Sequence, residues 1–411
     1  MKNLLGVVLL LINATALAAP VVNIPPSGDL TGATDQANIQ AALDAAGSDT
    51  KARIKLAAGT FYLNGGVGVT GFEGTLLGSG KDVTEVIALG VGSPANRGSV
   101  FLFADGNATI KDLSIEVPDG SSYLDSHSGL FTSDGGAAID IFGGSASIKN
   151  VRITSNGPFI PFGDESLETG VLLHNCDGSF ELKDSALERV KRAVIFNPEA
   201  PSQCDIKISG NHFEDNRGGI FLLGGEFGFL GGNVGEASVT ENTFDDTLVV
   251  DILGSFVEYP VDVRENEIEH SVLTGNWAIA FDTGSGAVNI TGNETNGQYN
   301  GQNISLFFQF GSSVISGNTV NGASFGAISV ELSDNVTIKD NDLTDNPFIP
   351  GWSVPGLETS GAYVLIESTN VRIHDEMLPV ASQATCQVLH VPEKDLSNQI
   401  DPNLIECEAG F

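Results

Sequence analysis

The chain has 411 residues, with 52 Asp and Glu against 19 Lys and Arg, a formal charge of −33 at pH 7. An acidic surplus of that size excludes binding held by phosphate contacts, which needs clustered Lys and Arg, so neither a nucleic acid nor an anionic membrane surface is an expected partner. Fifty Gly disfavour a helical protein, while 41% hydrophobic residues supply a large core.

Residues 1–18 read as an export signal. Lys2 supplies the positive start, residues 4–12 an apolar run, and Ala16, Leu17 and Ala18 the small residues of a cleavage position. The run is too short for a membrane anchor, and no later stretch approaches a span. The mature chain is therefore expected to be secreted, extracellular or periplasmic, where disulfides persist. Its four Cys are Cys176, Cys204, Cys386 and Cys407, which allow three pairings. The repeat pattern of the chain favours Cys176 with Cys204 and Cys386 with Cys407.

One amphipathic helix comes next, at TDQANIQAALDAAG. Thr34 or Asp35 is expected to cap it and Gly47 to stop it, with Ile39, Ala42, Leu43 and Ala46 on one face.

From about residue 108 the chain repeats itself. The unit is an apolar residue, two variable residues, a small polar residue, one variable residue and another apolar residue. It reads Ile208, Asn211, Phe213, then Val239, Asn242, Phe244, and recurs at Asn266, Asn293, Asn318 and Asn341, with spacings of 31, 24, 27, 25 and 23 residues. Earlier copies carry other residues at the Asn position, as in Leu182, Ser185, Leu187. Such a unit is too short to bury its own apolar face and must stack on its neighbours. Each contains three short alternating runs, so the expected fold is all-β: a single-stranded right-handed parallel β-helix solenoid. Asn at a fixed corner suits a left-handed turn, and stacked Asn amides suit a hydrogen-bonded ladder. The expected division is 1–18 signal peptide, 19–107 cap helix and first coils, 108–378 repeats, and 379–411 a closing tail stapled by Cys386 and Cys407.

The combination DQANIQAALDAA, RIKLAAGTFYL, and GTLLGSG followed by Thr84 resembles the opening of the pectate-lyase-like (pectin lyase fold) right-handed β-helix proteins. The resemblance covers residues 24–378 and implies the fold. That superfamily holds lyases, hydrolases, epimerases and noncatalytic adhesive proteins, so it implies two alternative functions. One is a lyase or hydrolase acting on, or a protein binding, extracellular polysaccharide. The other is a surface scaffold that binds a partner through its apolar face and loops. Of the polygalacturonase motifs only the doublet Asp245–Asp246 matches, and no catalytic residue is carried over.

The coil frame singles out one corner. Glu188–Arg189, Glu214–Asp215, Asp245–Asp246 and Glu269–His270 fall three and four residues past the ladder position and are expected to stack about 5 Å apart. Stacked carboxylates repel unless a cation, a base or a proton intervenes. Asp215, Asp246, Arg217 and His270 are therefore candidates for acid–base chemistry, and Glu214, Asp245 and Glu269 for ligands of a divalent cation such as calcium. The competing expectation is an ion-pair patch compensated by Arg189, Lys191, Arg192 and Arg217.

The strand that lines the cleft in that superfamily is apolar here at its centre. Its outward positions include Leu172, Ile195, Phe221, Leu223, Leu253 and Phe307, with Asp140, His174, Asp251, Asp282, Gln309 and Glu331 nearer the ends. Either a loop such as 224–232 covers that centre or a partner does. Loops 154–170 and 344–361 both contain PFIP, which suits a groove wall or a protein contact.

Overall fold

The computed structural model describes residues 21–408 apart from 48–51, 91–97, 118–136, 156–168, 199–201, 225–234, 275–276, 300–301, 323–325, 344–345, 347–360, 375–385, 392–394 and 405. The signal segment, the PFIP tips, all but Gly224 of the expected loop 224–232, and residues 375–378 at the end of the repeats lie outside the described residues.

Alternation along each short run buries one face of a strand, and parallel pairing stacks equivalent runs of successive coils. Three parallel sheets wrap one core. In the first, Ile148, Leu182, Ile208, Val239, Val263, Ile290, Ile315, Ile338 and Ile373 stand opposite one another in turn. The second aligns Ile153, Leu187, Phe213, Phe244, Ile268, Thr295 and Val320. The third aligns Ile139, Val171, Val194, Ile220, Ile252, Ile279, Ile304, Ile328, Tyr363 and Val388. All of these side chains are buried. The fold is the right-handed parallel β-helix that the repeat predicts. Pairing runs from Val21–Ile24, beside Arg53–Leu56, to Glu406–Glu408, beside Cys386–Val391.

The ladder forms between the first and second sheets. Asn211, Asn242, Asn266, Asn293, Asn318 and Asn341 are all buried, and the amide nitrogen of each of the first five donates to the next Asn along the column at 2.8–3.0 Å. Ser185 extends it by donating its backbone N–H to Asn211 Oδ1 at 3.0 Å. One expectation needs correcting. The left-handed residue is not the Asn but the one before it: Asp184, Gly210, Glu241, Glu265, Gly292, Gly317 and Asp340 all have positive φ. The Asn keeps ordinary backbone angles and spends its side chain on the neighbouring coil.

The helix spans Ala33–Ala46 and buries Ile39, Ala42 and Leu43. Neither Thr34 nor Asp35 caps it. The N-cap is Gly32, at φ 79°, and Asp35 is buried inside the helix, accepting the backbone N–H groups of Ser27 (2.7 Å) and Tyr62 (3.0 Å). Asp35 thus fastens the helix to the first coils. Gly47 closes the other end, donating its N–H to Leu43 O at 3.1 Å.

Cys176 and Cys204 form a disulfide between consecutive coils, with Cα atoms 5.2 Å apart. The side chains of the second expected pair, Cys386 and Cys407, lie outside the described residues. Among the described residues no helix is long and apolar enough to cross a membrane.

Candidate functional site

The acidic column stacks as its spacing predicts. Glu188, Glu214, Asp245, Glu269 and Asn296 are consecutive partners on the second sheet. Arg189, Asp215 and Asp246 take the adjoining corner, each with positive φ. Arg217 and Gly218 donate backbone N–H groups to Val190 and Lys191, so Arg217 and Lys191 stand on neighbouring coils. His270 departs from this corner. It remains in the strand opposite Gly297, and its Nε2 lies 2.9 Å from Asp251 Oδ2, with both side chains 1% exposed.

Four of these carboxylates have identifiable partners. Glu188 takes Arg152 through three N–H···O contacts of 2.7–3.2 Å. Glu214 and Asp245 share His212, at 3.5 Å from each, and His212 Nδ1 also lies 2.9 Å from Thr243 Oγ1. Asp246 accepts the backbone N–H of Ser271 at 2.7 Å and its hydroxyl. His212 is the residue that the sequence frame passes over, because it stands one position past Asn211 rather than three or four.

Burial raises the pKa of Asp215, Glu214 and Asp246 raise it further, and Arg189 opposes them. Burial also raises that of Asp245, opposed by His212 and reinforced by Glu214 and Asp246. For His270, burial pushes downward, but Asp251, Asp246 and Asp245 together outweigh it and the net shift is upward. Among the described residues, no group of three or more His, Cys, Asp or Glu is arranged to hold a metal ion. Calcium at Glu214, Asp245 and Glu269 therefore finds no support in the structure.

The corner leads directly into the third sheet, where Gly218, Val250 and Trp277 are partners. On the outer face of that sheet Leu172, Ile195, Phe221, Leu253 and Ala280 are successive partners. With Ala137, Leu223 and Val250 they form a second buried cluster, distinct from the main core, with Trp277 packed against it. Leu172 and Phe221 are each 1% exposed, so this centre is enclosed rather than an open apolar groove. Toward the N-terminal end, buried Asp140 lies 3.5 Å from His174 Nε2 and accepts the Ser99 hydroxyl at 3.2 Å.

Polarity returns toward the C-terminal end, where Ser305 and Ser329 continue the column of Ala280. Trp277 donates its indole N–H to Gln302 Oε1 at 3.2 Å, and Gln302 donates its amide to Glu331 Oε1 at 3.0 Å. Ser329 contacts both Glu331 Oε1 (3.3 Å) and Ser305 Oγ (3.1 Å). In the adjoining column Asp282, Phe307 and Glu331 are successive partners, Asp282 accepts the Ser255 hydroxyl, and Phe307 is 36% exposed. Burial raises the pKa of both carboxyls, partly offset by their hydrogen bonds. Asp251 and Gln309 do not join this surface: both are buried.

A protein-family model described as periplasmic copper-binding protein (NosD) matches residues 145–376, more than half of the chain. The chain belongs to the NosD family. The NosD description as periplasmic agrees with the export expected of this chain. No curated protein matches this NosD-family chain. Among solved structures it is similar to PfbA, a surface adhesin of Streptococcus pneumoniae, with 13% identity, 88% of this chain and 91% of that chain covered, and a TM-score of 0.55. It is also similar to a double mutant of the periplasmic alginate epimerase AlgG, with 12% identity, 79% and 75% covered, and a TM-score of 0.52. At these identities the likenesses show the fold alone.

The described residues of this NosD-family chain do not fit a copper site. Copper favours thiolate, thioether or grouped imidazole ligands. Cys176 and Cys204 are oxidised to a disulfide, and buried His174, His270 and His390 stand apart, each beside one carboxylate at 3.5, 2.9 and 2.8 Å.

Proposed function

We propose that this NosD-family chain is an exported protein that binds or acts on extracellular polysaccharide through the outer face of its third sheet. The observation that carries the reading is the linked set Trp277, Gln302 and Glu331 beside exposed Phe307. A sugar ring has an apolar face and a rim of hydroxyls. Aromatic rings next to fixed amide, hydroxyl and carboxyl groups match both.

Titration of the purified protein against a panel of soluble polysaccharides tests this. Trp277→Ala is expected to weaken binding about tenfold, equivalent to about 1.4 kcal/mol. Analysis of the recovered chains then separates the two functional classes: altered chains assign an enzyme, intact chains a noncatalytic scaffold. Failure to bind any member of the panel refutes the proposal.

A second proposal concerns the neighbouring corner, with Asp215 as a general acid assisted by Asp246 and Arg217; His270, buried against Asp251, takes no part in it. It is supported by the upward shift of the Asp215 pKa through burial and its acidic neighbours, the direction that suits a general acid. Asp215→Asn is then expected to abolish product formation while leaving polysaccharide binding in place. Unchanged turnover in that variant removes the corner from the chemistry.

A further inference from the structure

We infer that the polysaccharide taken by the third-sheet face is a neutral one, a chain of uncharged sugars rather than of uronic acids. The inference rests on the proposed binding role of that face and adds the class of ligand.

Trp277, Asp282, Gln302, Phe307 and Glu331 all come from residues 265–338, a stretch that contains seven Asp and Glu and not one Lys or Arg. The sequence segments 116–137, 154–170 and 344–361 contain no Lys or Arg either. Within the third-sheet strands the single Lys or Arg is Arg192, which is 5% exposed and stands opposite Gly218 on the N-terminal side of the Trp277 coil. A uronate chain carries one negative charge on each sugar and is held by matching cations, above all by Arg forks. Here it would meet the opposite arrangement.

Asp282 and Glu331 stand two coils apart on either side of Phe307. Bringing sugar carboxylates beside them would stack like charges in a place where burial already disfavours the ionised form. The polar groups that remain are the part-buried Trp277 and Gln302 and the two carboxyl acceptors, with the buried hydroxyls of Ser255, Ser305 and Ser329 bonded to those carboxyls and to one another behind them. These are complementary to hydroxyls. The net charge of −33 adds a long-range repulsion that falls on every polyanion and on no neutral chain.

The test compares a neutral glucan and a neutral mannan with polygalacturonate and alginate, by intrinsic tryptophan fluorescence and by calorimetry, between about 20 mM and about 500 mM NaCl. The expected result is binding of a neutral chain with an affinity that salt leaves within about twofold, at least tenfold tighter than either uronate. Trp277→Ala, and independently Phe307→Ala at an exposed position, should weaken that binding about tenfold. Uronate binding that is tighter than neutral binding and fades with salt overturns the inference while leaving the polysaccharide reading in place. Failure of all four polymers to bind overturns both, as does neutral binding unaffected by both aromatic substitutions.

Discussion

The side-chain oxygen of Asn266 accepts two hydrogen bonds from Asn242, one from its backbone N–H at 3.0 Å and one from its amide at 2.9 Å. Asn266 in turn donates its own amide to Val239 O at 3.0 Å and to Asn293 Oδ1 at 2.8 Å. One buried side chain thus closes four hydrogen bonds across three coils. Asn266→Leu, of similar size, would strip these partners without opening a cavity, and each unsatisfied buried group costs about 1–3 kcal/mol. A loss of about 3 kcal/mol or more in denaturant unfolding is expected. An unchanged midpoint would show that the column carries no stability.

The disulfide makes a separate contribution. Cys176 and Cys204 are 28 residues apart, and closing a loop of that size is worth about 3.5 kcal/mol in the unfolded state. Cys176→Ser with Cys204→Ser should lower stability by that amount while leaving the circular dichroism of the folded protein unchanged. Equal stability with and without reductant would contradict it.

A close approach inside the third sheet gives the next expectation. Gly254 stands between Leu222 and Phe281, and a Cβ placed on it would lie 2.2 Å from the Phe281 ring. Phe281 is 1% exposed and has no solvent side to move toward. Gly254→Ala should cost about 1–3 kcal/mol through overpacking. Thermal melting of Gly254→Ala, alone and with Phe281→Leu, measures this, because the smaller residue at 281 should recover part of the loss.

His270 sets a pH dependence. Its pKa is raised above 6.5 in the folded state, so the fold binds its proton more tightly than the unfolded chain does. The resulting stability is fully present below 6.5 and is lost as pH rises through the higher folded value. Urea denaturation across that window should show falling stability in the wild type and a flatter profile in His270→Asn. Parallel profiles would mean that the Asp251 pair does not favour the charged imidazole.

Glu331 behaves in the opposite sense to a paired surface carboxylate. With its folded pKa raised above 4.5, ionisation works against the fold, so stability declines as pH rises through the raised value. Glu331→Gln should remove that decline and leave the protein at least as stable as the wild type near neutral pH. A variant that is less stable at every pH would show that the hydrogen bonds of Glu331, not its charge, dominate.

The coil register was legible in the sequence because the Asn residues and their flanking apolar residues recur at fixed offsets, and every column drawn from them is a column of partners in the fold. The acidic stack came from the same offsets. His212 did not, since its role depends on reaching sideways between Glu214 and Asp245, which no offset along one strand describes. Trp277 and Gln302, and their link to the outward Glu331, were hidden for a related reason. They are 25 and 29 residues apart and look like ordinary outward positions of three separate strands until the stacking brings them together. The helix shows the limit of local chemistry: Asp35 sits where a cap is expected, yet its carboxylate is spent on Ser27 and Tyr62.

The ladder also separates two things that are coupled in most folds, the length of one segment and the position of the next. Spacings from 23 to 31 residues between successive Asn end in the same amide-to-amide contact, so the length of one coil does not displace the next floor of the tower. A whole floor is therefore an interchangeable part. Cutting between equivalent points on two floors, or copying one floor, would present the same surface to the neighbours above and below, and the outer loops are free to diversify while the masonry stays plumb.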